Sequence, residues 1–536
     1  MVARLPRLVY AIASPVQHAQ LPLDVRFDPM PFKPVTTLAA NTEAFEGTPL
    51  VKPTGFREYD ARWWFGAPGN DKPSELNLLG VQALGLGLAT LAHQFGVPPK
   101  IVVGHDFRFY SLSIKQALVL GLIQGGMEVL DIGLALSPTA YFAQFALDAP
   151  CVAMVTASHN ENGWTGVKMG ANAPLTFGPE EMGSLKEIVL QGAFVERTGG
   201  AYRRIEGFKE RYLEEVSAKV KLSRKLRVVA ACGNGTAGAF APEALRRMGA
   251  EVIEVDCGLD WTFPNYNANP EDEEMLHAMS AAVKKHGADL ALGFDGDGDR
   301  CGVVDEHGEE IFADKIGLML ARDLSAHHAN ARFVVDVKST GLFAIDPVLK
   351  ANGASVDYYK TGHSYIKRRT TELNALAGFE KSGHFFFRAP IGRGYDDGIV
   401  AAGAVLSMLD RNPGQTLASL RAALPLSYTS ITMSPHCADE TKYGIVDEVV
   451  AEYVALAKAG GKILGRSIRD VNTVNGARVT LEDGSWVLVR ASSNKPELVV
   501  VVESMTSDAD MRALFREEVK PRLGRRAEVG AYNQEV

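Results

Sequence analysis

The chain lacks the marks of several common protein classes. Its five cysteines are odd in number, scattered and without a CxxC pair. That excludes a disulfide framework and a cysteine-built zinc site. Cys151, Cys232, Cys257, Cys301 and Cys437 read instead as reduced, mostly buried thiols. No apolar run approaches the roughly 18 residues of a membrane helix. There is no basic excess: the formal net charge is −8 over 536 residues, which argues against a non-specific nucleic-acid binder. An anionic substrate would have to be met by local cations. Low-complexity sequence is absent after residue 50. Residues 1–20 place Arg4 and Arg7 ahead of a short apolar stretch, a faint likeness to a signal peptide, but Pro15 follows closely. The expectation is a cytoplasmic protein with an irregular extension over 1–50. The remaining composition, 46% hydrophobic and 22% charged, is that of an ordinary globular enzyme. The length requires several domains.

The most informative run is F-D-G-D-G-D-R at 294–300. Asp295, Asp297 and Asp299 alternate with glycines, which let the backbone turn tightly enough for three carboxylates to converge on one hard cation. With no His or Cys in the run, Mg²⁺ is favoured over Zn²⁺. The apolar stretch 288–294 reads as a buried strand, so the run sits at a strand end, where open α/β sheets place ligands. A solvated acidic turn is the plain alternative. An EF-hand fails because loop position 6 is Arg300 and the flank is a strand.

Alternating strands and helices recur from about residue 74 to 155, from 226 to the acidic run, and from 332 to 413, the pattern of α/β layers. Leu84, Leu88, Leu91 and Phe95 mark one helical face. After residue 470 the pattern changes to strands flanking E-D-G-S at 482–485, a hairpin signal. Other strand-end loops carry chemistry. T-A-S-H-N at 156–160 places Ser158 directly after an apolar strand, with His159 adjacent and Lys168 downstream. A turn serine is the plain reading. A serine hydrolase is excluded, because the nucleophile elbow needs glycines where Thr156 and Asn160 stand. G-N-G-T-A-G at 233–238, with Asp256 beyond it, matches a dinucleotide fingerprint by spacing alone. E-K-S-G-H at 380–384 offers Glu380 and Ser382 to vicinal hydroxyls. R-A-S-S-N-K-P at 490–496 offers Arg490, Ser492, Ser493 and Asn494 as a phosphate cradle. Lys360 and His363 form another cationic loop, whose plain reading is a solvated one.

Taken in order, these loops resemble the α-D-phosphohexomutase family, from about Phe56 to the end of the chain. F-R-E-Y-D-A-R at 56–62 resembles the family's opening motif, with Ala61 where Ile is usual. Residues 156–160 resemble its phosphoserine loop and 295–300 its metal loop. Residues 379–384 resemble its sugar loop, with Phe379 in place of Gly, and 490–496 its phosphate loop. The resemblance implies three similar α/β domains (51–203, 204–310 and 311–423) and a smaller C-terminal α+β domain (424–536) around a central cleft. It implies an isomerase that moves phosphate between O1 and O6 of a hexose through a phosphorylated Ser158 and a hexose 1,6-bisphosphate. Mg²⁺ would be held by Asp295, Asp297, Asp299 and a phosphoserine oxygen. Lys168, His384 and Arg62 are the candidate proton-handling groups, and His159 orients the serine loop. Tyr59, Arg300, Lys360, His363, Glu380, Ser382, His384 and the 490–494 cradle would contact the phosphosugar. The loops at 380–384 and 490–496 lean towards the phosphomannomutase/phosphoglucomutase branch, with glucose or mannose 1,6-bisphosphate as intermediate. Phosphoglucosamine mutase or phosphopentomutase are the alternatives within the family. An NAD-dependent dehydrogenase and a non-catalytic phosphosugar-binding protein are those outside it. A monomer or weak dimer without nucleic-acid or membrane partners is expected.

Overall fold

The computed structural model describes residues 33–536. The signal-peptide likeness and most of the 1–50 extension lie outside the described residues. Residues 33–50 are not wholly irregular: a short helix Glu43–Gly47 forms, capped by Thr42, and Val35 bridges Leu50 in parallel.

Four sheets follow one another along the chain. The first has six strands in the order Ala61–Trp64, Trp164–Gly170, Cys151–Val155, Lys100–His105, Glu128–Leu134, Ala201–Arg204. Its last four pair in parallel, and Trp164–Gly170 joins them antiparallel. The second sheet has five strands around the parallel set Glu251–Val255, Arg227–Ala231 and Leu290–Phe294. The third sets Arg332–Asp336 in parallel between Ser355–Tyr359 and Ala377–Phe379. The fourth, the tail, is antiparallel throughout. Three α/β layers and an α+β tail result. The central parallel strands, such as Cys151–Val155 and Leu290–Phe294, are buried throughout and continuously apolar, whereas the flanking Ala201–Arg204, Glu251–Val255 and Ser355–Tyr359 are exposed or half-buried and more polar.

The helix Leu78–Gln94 shows how the first layer is built. Asn77 caps it by accepting from the Gly80 amide at 2.8 Å. Its apolar residues run round most of the helix, so it is buried on nearly every side rather than along one stripe. Phe95 departs from the expected face: it lies beyond the helix end and is 41% exposed. One apolar core runs from the inner face of the first layer (Val102, Leu136, Tyr141) through the second and third. The tail has a core of its own. All five cysteines are free and buried, as expected.

Candidate active site

The cleft between the four layers has a volume of about 610 Å³. Ser158 lies on its wall, one short turn after the strand Cys151–Val155. The serine takes a left-handed backbone conformation, φ 54°. Its amide donates to the Thr156 Oγ1 at 2.9 Å. Its own Oγ donates to Asp295 Oδ2 at 3.0 Å and lies 3.2 Å from His159 Nδ1. Two residues that the sequence reading did not single out hold this loop. Arg108 donates to the carbonyls of Ser158 and Asn160 at 3.0 and 2.6 Å, and Asp106 pairs with Arg108 from below.

The acidic loop follows the strand Leu290–Phe294 and packs directly under the serine. Asp295, Asp297 and Asp299 are fully buried, so this is core and not merely a strand-end turn. Their oxygens converge within 4.8 Å of one another. Asp297 accepts from Ser137 Oγ at 2.6 Å and from Lys168 Nζ at 2.7 Å, and Lys168 also pairs with Asp299. One oxygen each of Asp297 and Asp299 is buried without a partner. Burial and the neighbouring Asp299 and Asp297 push the Asp295 carboxyl well above its ordinary value. Burial alone would also raise Asp297, but the Lys168 cation and the Ser137 hydroxyl hold it below. Lys168 answers in kind: burial opposes its charge, and Asp297 and Asp299 override that and hold it well above the usual lysine range. Unpaired buried carboxylate oxygens, all hard donors, fit a divalent cation such as Mg²⁺.

The opposite wall comes from the third layer and the tail. Burial, reinforced by Asp336 and opposed by His384, raises Glu380 to about 7, and its carboxylate accepts from the Gly362 amide at 2.5 Å. Arg490 donates through Nε to Asn475 Oδ1 at 2.8 Å and through Nη2 to Ser493 Oγ at 3.2 Å. Ser382, Ser492, Ser493 and Asn494 line the cleft beside them. Asn494 donates to the Tyr59 hydroxyl at 3.2 Å, and Tyr59 meets His363 edge-on at 4.7 Å. Burial holds His363 and His159 well below their ordinary values. Arg62 is fixed by Asp60 at 2.9 Å and by Asn160 at 2.6 Å. Arg300 donates to His384 Nε2 at 3.0 Å. His384 itself sits above its ordinary value: burial would lower it, but Asp299 and Asp396 prevail.

The candidate residues named from the sequence line one cleft, apart from Asp295, Asp297 and Asp299, which lie buried beneath its wall, and Lys360. The Lys360 ammonium lies over the Tyr365 ring at 5.4 Å and does not line the cleft. Arg57, Lys338, Asn269, Glu271 and Lys495 line it without having been named. Lys338, Arg57 and Lys495 carried a usable signal, as cations in strand-end or motif loops. The 233–238 glycines have another use than a dinucleotide. A Cβ on Gly238 would sit 2.1 Å from the Cys257 carbonyl, and the Thr236 amide donates to Gly296 at 3.1 Å. The turn supports the acidic loop.

A serine over a buried acidic triad, facing a polar cleft with a cationic cradle on its far wall, defines a phosphoryl-transfer site. The comparisons name the class. The four successive family models of phosphoglucomutase/phosphomannomutase match: α/β/α domain I over residues 54–196, domain II over 210–308, domain III over 312–428 and the C-terminal domain over 440–520. A phosphomannomutase/phosphoglucomutase of Pseudomonas putida is 32% identical over 464 residues, covering 86% of this chain and 93% of that protein. A phosphoglucomutase of Neisseria gonorrhoeae is 31% identical over 456 residues, covering 85% and 94%. The crystal structure of a phosphoglucomutase/phosphomannomutase family protein from Burkholderia thailandensis superposes with a TM-score of 0.77 at 27% identity, covering 89% of this chain and 98% of that one. The chain belongs to the phosphoglucomutase/phosphomannomutase family. It is an isomerase of the phosphohexomutase class.

Proposed function

We propose that this enzyme interconverts hexose 1-phosphate and hexose 6-phosphate, of glucose, mannose or both, through a phosphorylated Ser158. The observation that carries the reading is the 3.0 Å contact of Ser158 Oγ with Asp295 Oδ2, above two unpartnered carboxylate oxygens. A substrate hydroxyl attacks the Ser158 phosphoryl: the new O–P bond forms, the Ser158 Oγ–P bond breaks, and a hexose 1,6-bisphosphate results. The hydroxyl proton is lost, and the leaving serine oxygen gains one. The bisphosphate then turns and returns its other phosphate to Ser158. Mg²⁺ bound by Asp295, Asp297, Asp299 and a phosphoserine oxygen would neutralise charge on the transferring group.

The chain's own residues divide the remaining work. Lys168 is an ammonium held by two carboxylates; a metal taken up by Asp297 and Asp299 would weaken their hold on its proton and make it available to the leaving oxygen, while Arg62 acts through its charge. His384 Nε2 already accepts from Arg300, and Nδ1 faces the Asp396 carboxylate at 3.1 Å rather than the serine, which favours Lys168 over it for this task. Arg490 with Ser492, Ser493 and Asn494 grips whichever phosphate is not reacting, and Glu380 and Ser382 take sugar hydroxyls. The protein is a cytoplasmic monomer or weak dimer on this reading. The test is kcat/KM for glucose-, mannose-, glucosamine- and ribose-phosphates, with Mg²⁺ and catalytic 1,6-bisphosphate. Turnover of glucose and mannose phosphates well above the other two supports the branch. A preference for glucosamine or ribose phosphate moves the enzyme to another branch, and tight binding without turnover makes it a binding protein.

A further inference from the structure

Beneath the cleft floor runs a relay of buried side chains that the sequence motifs do not include. Lys367, on the helix His363–Glu372, has no solvent exposure. Its ammonium lies 2.9 Å from Asp396 Oδ1 and 4.1 Å over the Tyr141 ring. The other oxygen of Asp396 faces His384 Nδ1 at 3.1 Å. Across the imidazole, Nε2 accepts from Arg300 Nε at 3.0 Å, and the Arg300 guanidinium continues to Glu271 at 3.2 Å on the cleft surface.

The hydrogens on this relay are determined by chemistry. An arginine Nε always carries a hydrogen, so the 3.0 Å contact makes His384 Nε2 the acceptor; the ring is then neutral with its hydrogen on Nδ1, despite the upward pull of Asp299 and Asp396. Nδ1–H then calls for a buried acceptor, and the nearest carboxylate oxygen to it is Asp396 Oδ2 at 3.1 Å, closer than Asp299 Oδ1 at 3.7 Å. Helix capping does not account for Asp396, because the neighbouring Asp397 already accepts from the Ile399 and Val400 amides that open the next helix. Stability alone is a weak reason too, since a buried ion pair is commonly no better than apolar packing of the same volume. The arrangement Asp299, His384 and Asp396 is also compact enough for a cation. Lys367 and Arg300 already bring two positive charges to it, which disfavours a metal there.

We propose that Asp396 is a positioning residue of the mutase reaction: it fixes the His384 tautomer and, through it, aims the Arg300 guanidinium into the cleft, while Lys367 balances its charge. The inference rests on the reading that Arg300 faces the phosphosugar. Asp396→Asn tests it. The Lys367 ammonium demands the amide oxygen, which turns the amide NH₂ towards His384. Nδ1 must then accept, the ring hydrogen moves to Nε2, and that hydrogen meets Arg300 Nε–H. Loss of an orienting partner typically costs 10- to 100-fold in activity, so kcat of Asp396→Asn is expected to fall by roughly that factor. In ¹⁵N-histidine spectra of the full-length enzyme, the His384 signal should change from the Nδ1–H to the Nε2–H tautomer.

The double variant Lys367→Met/Asp396→Leu removes both buried charges, and with them the folding penalty of an unpaired one. It should melt near the wild-type temperature yet keep the low kcat. Wild-type kcat in Asp396→Asn, an unchanged His384 tautomer, or recovery of kcat in the double variant would each overturn the proposal. Failure of the wild type to turn over any hexose phosphate would instead strike the functional reading, while the tautomer result would still test the relay.

Discussion

A Cβ on Gly296 would stand 2.4 Å from the carbonyl oxygen of Ser158. The acidic loop and the serine loop, 138 residues apart in sequence, therefore touch backbone to backbone only because this position is glycine. Gly296→Ala must push the two loops apart, since neither atom in the clash belongs to a flexible side chain. A misplacement of this order can cost roughly 100-fold in rate, and kcat is expected to fall by about that much. Gly258→Ala is the control, because a Cβ there meets nothing within 4 Å. Steady-state assays of both variants decide the matter: equal rates would mean that the contact has no catalytic consequence.

Asp297→Asn removes the carboxylate charge that pairs with Lys168 while preserving its shape. Metal binding should weaken, and the Mg²⁺ concentration for half-maximal activity should rise roughly 10- to 100-fold, with kcat reduced even at saturation. An unchanged Mg²⁺ dependence would show that Asp297 is not a ligand.

Much of this site is readable in the sequence for a physical reason. Asp295, Asp297 and Asp299 are local, and glycine spacing after an apolar strand has few other uses. Ser158 follows the strand Cys151–Val155 just as directly. Asp106 and Arg108 are different. A D-x-R after a strand is unremarkable until the sheet forms and pairs Lys100–His105 with Cys151–Val155, His105 opposite Val155, which brings the two strand-end loops together. Asp396 was hidden by its neighbour: a D-D-G run reads as a helix cap, and Asp397 is that cap, while Asp396 points to the other side. The edge strand Ala61–Trp64 escaped because A-R-W-W shows no alternation, and with it the strand Trp164–Gly170 that pairs beside it. Lys360 was read as a cleft cation only from its loop, and its side chain lies on the Tyr365 ring instead.

Arg490 is buried and already committed through two nitrogens, to Asn475 and Ser493. A lysine cannot keep both contacts and still present a forked pair to phosphate. Arg490→Lys should lose roughly 10- to 150-fold in kcat/KM, the equivalent of one charge-assisted hydrogen bond. Released hexose 1,6-bisphosphate should rise relative to product, because this loop holds the intermediate while it turns. Native kcat/KM with no added release would remove the clamp role from the whole 490–494 loop.

Asp397 predicts a pH effect on stability. Burial raises its pKa from 3.8 to about 7, against the opposing hydrogen bonds from Val400, Tyr212 and Ile399. Because the folded-state value is the higher one, its favourable contribution is complete below about 3.8 and is lost as pH rises through about 7. Asp397→Asn keeps an acceptor for the cap but cannot ionise. The Tm of the variant relative to wild type should therefore be higher at pH 8 than at pH 5. An equal difference at both pH values would show that Asp397 does not titrate in this window.

The central claim is that Ser158 carries and donates the phosphoryl group, and intact-mass analysis with peptide mapping tests it most directly. The account predicts one phosphate on Ser158 in active enzyme, its loss on incubation with hexose phosphate as bisphosphate appears, and no turnover by Ser158→Ala. Unphosphorylated Ser158 in fully active enzyme, together with wild-type activity in Ser158→Ala, would contradict it.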